Sequence, residues 1–311
     1  MANSEISPQT AAITCAENVA VLSLLYPTSS PSSNIPADRH IQQTGYALPL
    51  DREKVLVGML AYLAHTDDNP NTIPAICIEE VPKAACLRVL LAVNKAREES
   101  NKKILDNLQK RFDELFALLA KVDDGPSDIE ESLSATIVSM CSSRILSRMR
   151  LIPNYKNQKK PPIKERLQVV INRLREVART NPKTPELLIS IESFTKEAES
   201  VIRLIDEWEK DQTPSHLKSL VHGVHTLWTS GKIHGELMNV PTDVLCPSSR
   251  EALMDSLFKV ARYREAAGLL YRTAKEFPLA RRMQIMPIEL PKHAFDKVPT
   301  DKMKVKNYLA V

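Results

Sequence analysis

The residues with the most obvious chemical potential are Ile233-His234-Gly235-Glu236-Leu237, with Cys246-Pro247 following ten positions past the glutamate. One class of zinc hydrolase uses a histidine with a glutamate two positions on, then a C-x-x-C pair. Three protein ligands leave the fourth zinc position for water, and the glutamate shuttles protons. Here the set is incomplete, because Cys246 is the last cysteine and no C-x-x-C follows it. His234 and Glu236 therefore read as ordinary loop or cap residues. A divergent zinc hydrolase using His234, Glu236 and Cys246 is kept as an alternative. His222 and His225 stand three apart on one helix face, with His216 upstream, but no acid sits between them as in H-E-x-x-H. They read as amphipathic residues at a helix seam. No G-x-S-x-G, G-x-x-x-x-G-K-[ST] or G-x-G-x-x-G run occurs. No catalytic residue, metal or cofactor is expected.

The best ligand-binding candidate is basic. Arg144, Arg148 and Arg150 run into Lys156, Lys159, Lys160, Lys164 and Arg166. Such a cluster can contact phosphates and bind nucleic acid in a sequence-independent, salt-sensitive way. Its only aromatic is Tyr155, which gives little support for base stacking. The favoured reading is a solvated face that balances acidic helices. Segment 141–180 carries eleven Lys/Arg against two Glu (+9), 182–212 four against eight (−4), and 113–131 one against seven (−6). This alternation lies beneath a formal net charge of only +4.

The elements that must position these residues are mainly helical. Seven glycines in 311 residues is about a third of the usual ~7%. That scarcity disfavours tight-turn β architectures and glycine-rich phosphate loops. Hydrophobic residues at 43% and charged residues at 26% predict a sizeable core. Five scattered cysteines without a C-x-x-C pair point to a reducing compartment, and no signal peptide or membrane span is read. The cytoplasm or nucleus is expected.

Residues 1–50 read as an N-terminal tail, with a short helix at Thr14–Tyr26 and a Pro/Ser-rich linker. Residues 51–295 read as a helical domain, and 296–311 as a C-terminal tail. Asp51 is expected to cap a helix over Arg52–His65 whose buried face is Val55, Leu56, Met59, Leu60 and Leu63. Two readings fit 74–93: a hairpin of Ile76–Val81 and Leu87–Val93, or a helix opened by Pro82 and running to Val122. The hairpin is adopted.

Ile104, Leu108, Phe112, Leu115, Leu119 and Val122 define one helix face. Ser127 and Glu130 form a capping box for a helix to about Arg150, and Pro162 opens the next. The clearest periodicity is Leu187, Ile191, Phe194, Ala198, Val201, Ile205 and Trp208, a heptad seam. Thr213-Pro214 leads into a helix over His216–Thr229, and Ser248 or Ser249 caps another to about Lys275. Residues 282–290 alternate like a strand that could pair with the hairpin, confined to an edge by Pro287. The expected fold is a multi-helix bundle with a small antiparallel sheet element at 74–93, to which 282–290 can add.

Four stretches resemble a family of fungal deaminase-like proteins: 51–65 (DREKVLVGMLAYLAH), 87–96 (LRVLLAVNKA), 134–150 (SATIVSMCSSRILSRMR) and 248–295. The last begins SSREALMDSLFKVARYREAAGLLYRTAKEF and is the most specific. The resemblance implies a helical region upstream of a domain bearing a His-Ala-Glu motif and a later C-x-x-C. This chain ends at Val311, before such a domain would begin, so no zinc ligand is matched and enzymatic activity is not expected. The expectation is a helical interaction or scaffold module with a protein partner or self-association. A nucleic-acid-binding accessory role through 144–166 is the alternative.

Overall fold

The computed structural model describes residues 46–67, 73–94, 98–122, 128–152, 161–180, 185–230 and 246–288, with single positions 233, 235, 237, 240 and 242. The short helix expected at Thr14–Tyr26, most of the linker after it and the tail 296–311 lie outside these residues. Residues Tyr46–Glu289 cluster as one unit. Its described part is mainly helical, with a small three-stranded sheet.

Helix α1 (Leu50–Ala64) buries Leu56, Met59, Leu60 and Leu63 at helical spacing. Two expectations shift here. Pro49, not Asp51, is the N-cap, and Val55 is exposed rather than part of the buried face. Val55 precedes Leu56 by one position, about 100° around the helix, so it falls off the stripe.

The hairpin forms and the long-helix alternative does not. Strand β1 (Ile73–Val81) pairs antiparallel with β2 (Cys86–Asn94). Pro82 opens only a single 3-10 turn, Pro82–Ala84, closed by Ala85 at φ 48°. Strand β3 (Met283–Pro287) joins the free side of β2, and its pairing is parallel, not antiparallel as the expected sheet had it. The reason is topological: the chain returns after a long helical excursion, and no tight turn links the two strands. Pro287 stands on the edge strand, where its missing N–H leaves no ladder bond unmade.

The inner sheet face presents Ile78, Leu87, Val89, Leu91, Val93, Met283 and Ile285, all buried. It packs on α1 and on α2 (Glu98–Leu119). Along α2, Leu108, Phe112, Leu115 and Leu119 are buried as their spacing requires.

The helix expected to run to Arg150 is two helices, α3 (Ile129–Met140) and α4 (Ser142–Met149). Cys141 leaves helical geometry at φ −103°, ψ 12°, and the Arg111 guanidinium donates to the Met140 carbonyl from outside. The expected capping box of Ser127 and Glu130 falls partly outside the described residues. Asp128 is the N-cap without a side-chain bond, Glu130 turns instead to Arg264 at 2.7 Å, and Ser127 lies outside the described residues.

Four further helices stand among the described residues: α5 (Ile163–Thr180), α6 (Pro185–Lys210), α7 (Pro214–Thr229) and α8 (Pro247–Glu276). The α6 seam is buried at Ile191, Phe194, Ala198, Val201, Ile205 and Trp208, while the Leu187 side chain lies outside the described residues. Thr213 caps α7 by accepting from the His216 N–H at 3.3 Å. The N-cap of α8 is Cys246, and neither Ser248 nor Ser249 fills that position, because Pro247 already stands at the first helical turn. Helices α3, α4 and α7 pack along α8, α7 also packs on α6, and α6 on α5.

Candidate functional site

Most cations of the basic segment are turned to structural partners. Arg144, on α4, donates from Nη1 to the His65 and Asp67 carbonyls at 3.3 and 2.7 Å, at the end of α1. There it ties down the chain as it leaves the helix. Arg148, one turn on, donates to the Tyr62 hydroxyl at 3.0 Å and the Lys259 carbonyl at 3.4 Å. Its guanidinium also lies 5.3 Å from the Tyr62 ring centre and 5.9 Å from that of Tyr263.

The two rings are 4.8 Å apart, and Arg262 covers Tyr62 at 4.4 Å. Burial pushes the Tyr62 hydroxyl up to about 12, against the pull of Arg148. Burial likewise raises Tyr263, whose fully buried hydroxyl makes no hydrogen bond of normal geometry. This Tyr–Arg stack ties α1, α4 and α8 together. Sequence reading missed it, since its members lie far apart along the chain and nothing local pairs them.

Lys164 bonds Asp206 and, at 3.1 Å, Glu209, and both hydrogen bonds raise its pKa. Arg150, at φ 59° beyond the end of α4, donates to the Pro161 carbonyl at 2.8 Å. Arg166 donates from Nη2 to the Ser249 carbonyl in the first turn of α8. Lys156, Lys159 and Lys160 lie outside the described residues, so the segment is placed only at Arg144, Arg148, Arg150, Lys164 and Arg166.

The zinc-like set is likewise only partly placed. His234 and Glu236 lie outside the described residues, and Cys246 is exposed at the head of α8. Hydrogen bonding with the Ser248 and Ser249 side chains draws the Cys246 thiol down to about 7. His216 Nδ1 lies 2.7 Å from the Asp211 carbonyl, and His222 is exposed. His225 is half-buried, and burial, then the Arg264 charge, lowers its pKa. Among the described residues, no group of three or more His, Cys, Asp or Glu could hold a metal ion.

Two surface features remain. A trough of about 680 Å³ lies between α3, α6 and α7, lined among others by Glu131, Lys196, Glu197, Lys218 and His222. Its charges are mixed and partly consumed, since Lys218 bonds Glu131 at 3.0 Å. At its side α6 and α7 meet closely: a Cβ on Gly223 would come within 2.5 Å of Leu204 Cδ1.

The second feature is the outer face of the sheet. Strict alternation places Ile73, Ala75 and Cys77 of β1, Leu90 and Ala92 of β2, and Met286 with Ile288 at β3 on one side. Ile73, Met286 and Ile288 are 47%, 43% and 37% exposed. One end is polar, with Gln284 beside an Arg88–Glu79 ion pair at 2.9 Å. The signal was present in the sequence as the unbroken apolar run of β2, Val89-Leu90-Leu91-Ala92-Val93, which suits a strand covered on both faces. No helix among the described residues is long and apolar enough to cross a membrane. No family model, curated protein or solved structure matches the chain.

Proposed function

We propose that this protein is a non-catalytic interaction module, and that the outer face of its sheet receives one amphipathic helix from a partner protein. The observation that carries the reading is the apolar patch of exposed Ile73, Met286 and Ile288 with half-buried Leu90, on a sheet whose other face is largely buried against α1 and α2. A mixed sheet with a parallel pair and a continuously apolar strand is the kind that helices cover on both sides.

Dimensions select the occupant. Strands of nine, nine and five residues span about 14 Å across and about 30 Å along, or roughly 400 Å². Two copies stacked face to face would bury only about 800 Å² in total, short of the ~1,200 Å² of stable interfaces. One helix, about 10–12 Å in diameter, matches the width, and the flanks of a larger partner add the remaining area. The resemblance to fungal deaminase-like proteins is in keeping with this, because it implies a helical region upstream of a separate domain.

The test places a photoreactive residue at Met286 of the full chain and maps the crosslinked peptide. The expected adduct is a segment of another protein with apolar residues at i, i+3, i+4 and i+7. As a synthetic peptide that segment binds the purified chain, and Leu90→Glu weakens it at least tenfold while the circular dichroism is unchanged. Adducts only to peptides of this chain, or peptide binding indifferent to Leu90→Glu, would overturn the proposal.

A further inference from the structure

Arg166 is the one member of the basic segment, among the described residues, whose side chain is both deeply buried and left with an idle guanidinium nitrogen at its tip. It is 6% exposed, and although Nη2 reaches the Ser249 carbonyl, Nη1 is buried without a hydrogen-bond partner. Neighbouring cations on the same helix are supplied with acids: Lys164 with Asp206 and Glu209, Arg173 with Glu176, Arg175 with Glu199. Arg166 and Arg150 have no carboxylate partner among the described residues. The two meet at the same turn: Arg150 donates to the Pro161 carbonyl at 2.8 Å and the Arg166 N–H to the Pro162 carbonyl at 3.2 Å, and after burial the Arg150 charge is the second cause lowering the Arg166 pKa.

A guanidinium does not shed its proton at neutral pH. A buried one with an idle donor and a second cation beside it is an arrangement that costs free energy until a negative charge joins it. The guanidinium fork matches the oxygens of a phosphate group, as a lysine ammonium does not. The positive end of the 30-residue helix α8 adds to the same potential, because Arg166 meets that helix in its first turn.

We propose that Arg166 and Arg150 form a binding site for one phosphate group, between the end of α4, the start of α5 and the first turn of α8. Arg166 supplies the buried Nη1 donor and Arg150 the partly exposed wall. This narrows the eight-residue basic cluster to a two-arginine site. It is independent of docking on the sheet, which lies on other elements. The phosphate belongs either to a small phosphorylated molecule or to a nucleic-acid backbone, and the two share this chemistry.

The experiment is thermal unfolding of the full chain in sodium phosphate against sodium chloride at equal ionic strength, with a single-stranded 20-mer as a second arm. Phosphate is expected to raise the Tm by about 3 °C or more, as a ligand that binds only the native state does. Arg166→Met, which removes the buried charge and keeps the volume filled, abolishes the rise, and Arg150→Gln at least halves it. A rise with both ligands assigns the site to nucleic-acid phosphates, and a rise with inorganic phosphate alone assigns it to a small molecule. Equal Tm values in phosphate and chloride, or a rise that survives both substitutions, would overturn the proposal. Should Arg166→Met fail to fold, Arg150→Gln alone decides.

Discussion

Removing the same atom from two stacked rings should change stability in opposite directions. Tyr62 and Tyr263 lie 4.8 Å apart, yet their hydroxyls are in different positions. The Tyr62 hydroxyl donates to the Lys259 carbonyl and accepts from Arg148 at 3.0 Å. Tyr62→Phe deletes both bonds, one of them to a charged group, and leaves Arg148 with its 3.4 Å contact to Lys259. At about 1 kcal/mol for the neutral bond and somewhat more for the charged one, the loss should be about 2–3 kcal/mol. The Tyr263 hydroxyl is buried beside the Tyr62 hydroxyl but makes no hydrogen bond of normal geometry, so its desolvation is poorly compensated. Tyr263→Phe should therefore stabilise the fold by about 1 kcal/mol, the low end of the cost of an unsatisfied buried hydroxyl. Urea unfolding at pH 7 reads both, provided the m value is unchanged. In thermal unfolding 1 kcal/mol amounts to about 2–4 °C for a unit of this size. If Tyr263→Phe destabilises the protein, that hydroxyl has a bond the geometry does not contain, and the account of the stack fails.

Three further outcomes concern titrating groups. Cys246 should be alkylated by iodoacetamide with half-maximal rate near pH 7, where Ser248 and Ser249 place its thiol, and a Ser248→Ala, Ser249→Ala double variant should move that midpoint upward. Cys141, pushed up to about 12 by burial, should react only after unfolding, as mass spectrometry of the labelled peptides will read. His225 has a folded pKa below its unfolded value, so its neutral form belongs to the native state. The stability it contributes is complete above about pH 6.5 and is lost as the pH falls through the lower folded value. Urea midpoints measured from pH 7.5 to 5.5 should decline, and His225→Phe should flatten that decline. An unchanged slope in the variant would place the titration elsewhere.

Helices were legible where burial repeats with the helical period. The α6 seam from Ile191 to Trp208 and the α8 face from Leu253 to Ala274 are buried as spaced. The break at Cys141 was not legible, because Ser139-Met140-Cys141-Ser142-Ser143 contains neither proline nor glycine. What permits the break is Arg111, from another helix, bonding the Met140 carbonyl. The same limit governed the basic segment. Counting charges located Arg144, Arg148 and Arg166, but their acceptors include the carbonyls of residues 65, 67, 259 and 249, which carry no sequence signature. The strand at 283–287 was visible from alternation, while its parallel direction depends on how the whole helical region returns.

That return has a consequence for the order in which the molecule assembles. Leu87 pairs with Met283, so everything from residue 88 to 282 must be gathered before β3 finds its neighbour. Closing so long a chain segment costs about 5 kcal/mol of entropy at random, more than a five-residue edge strand returns on its own. The helices therefore have to fold first and bring β2 and β3 together, so that β3 is the last strand to join the sheet and the first to leave it.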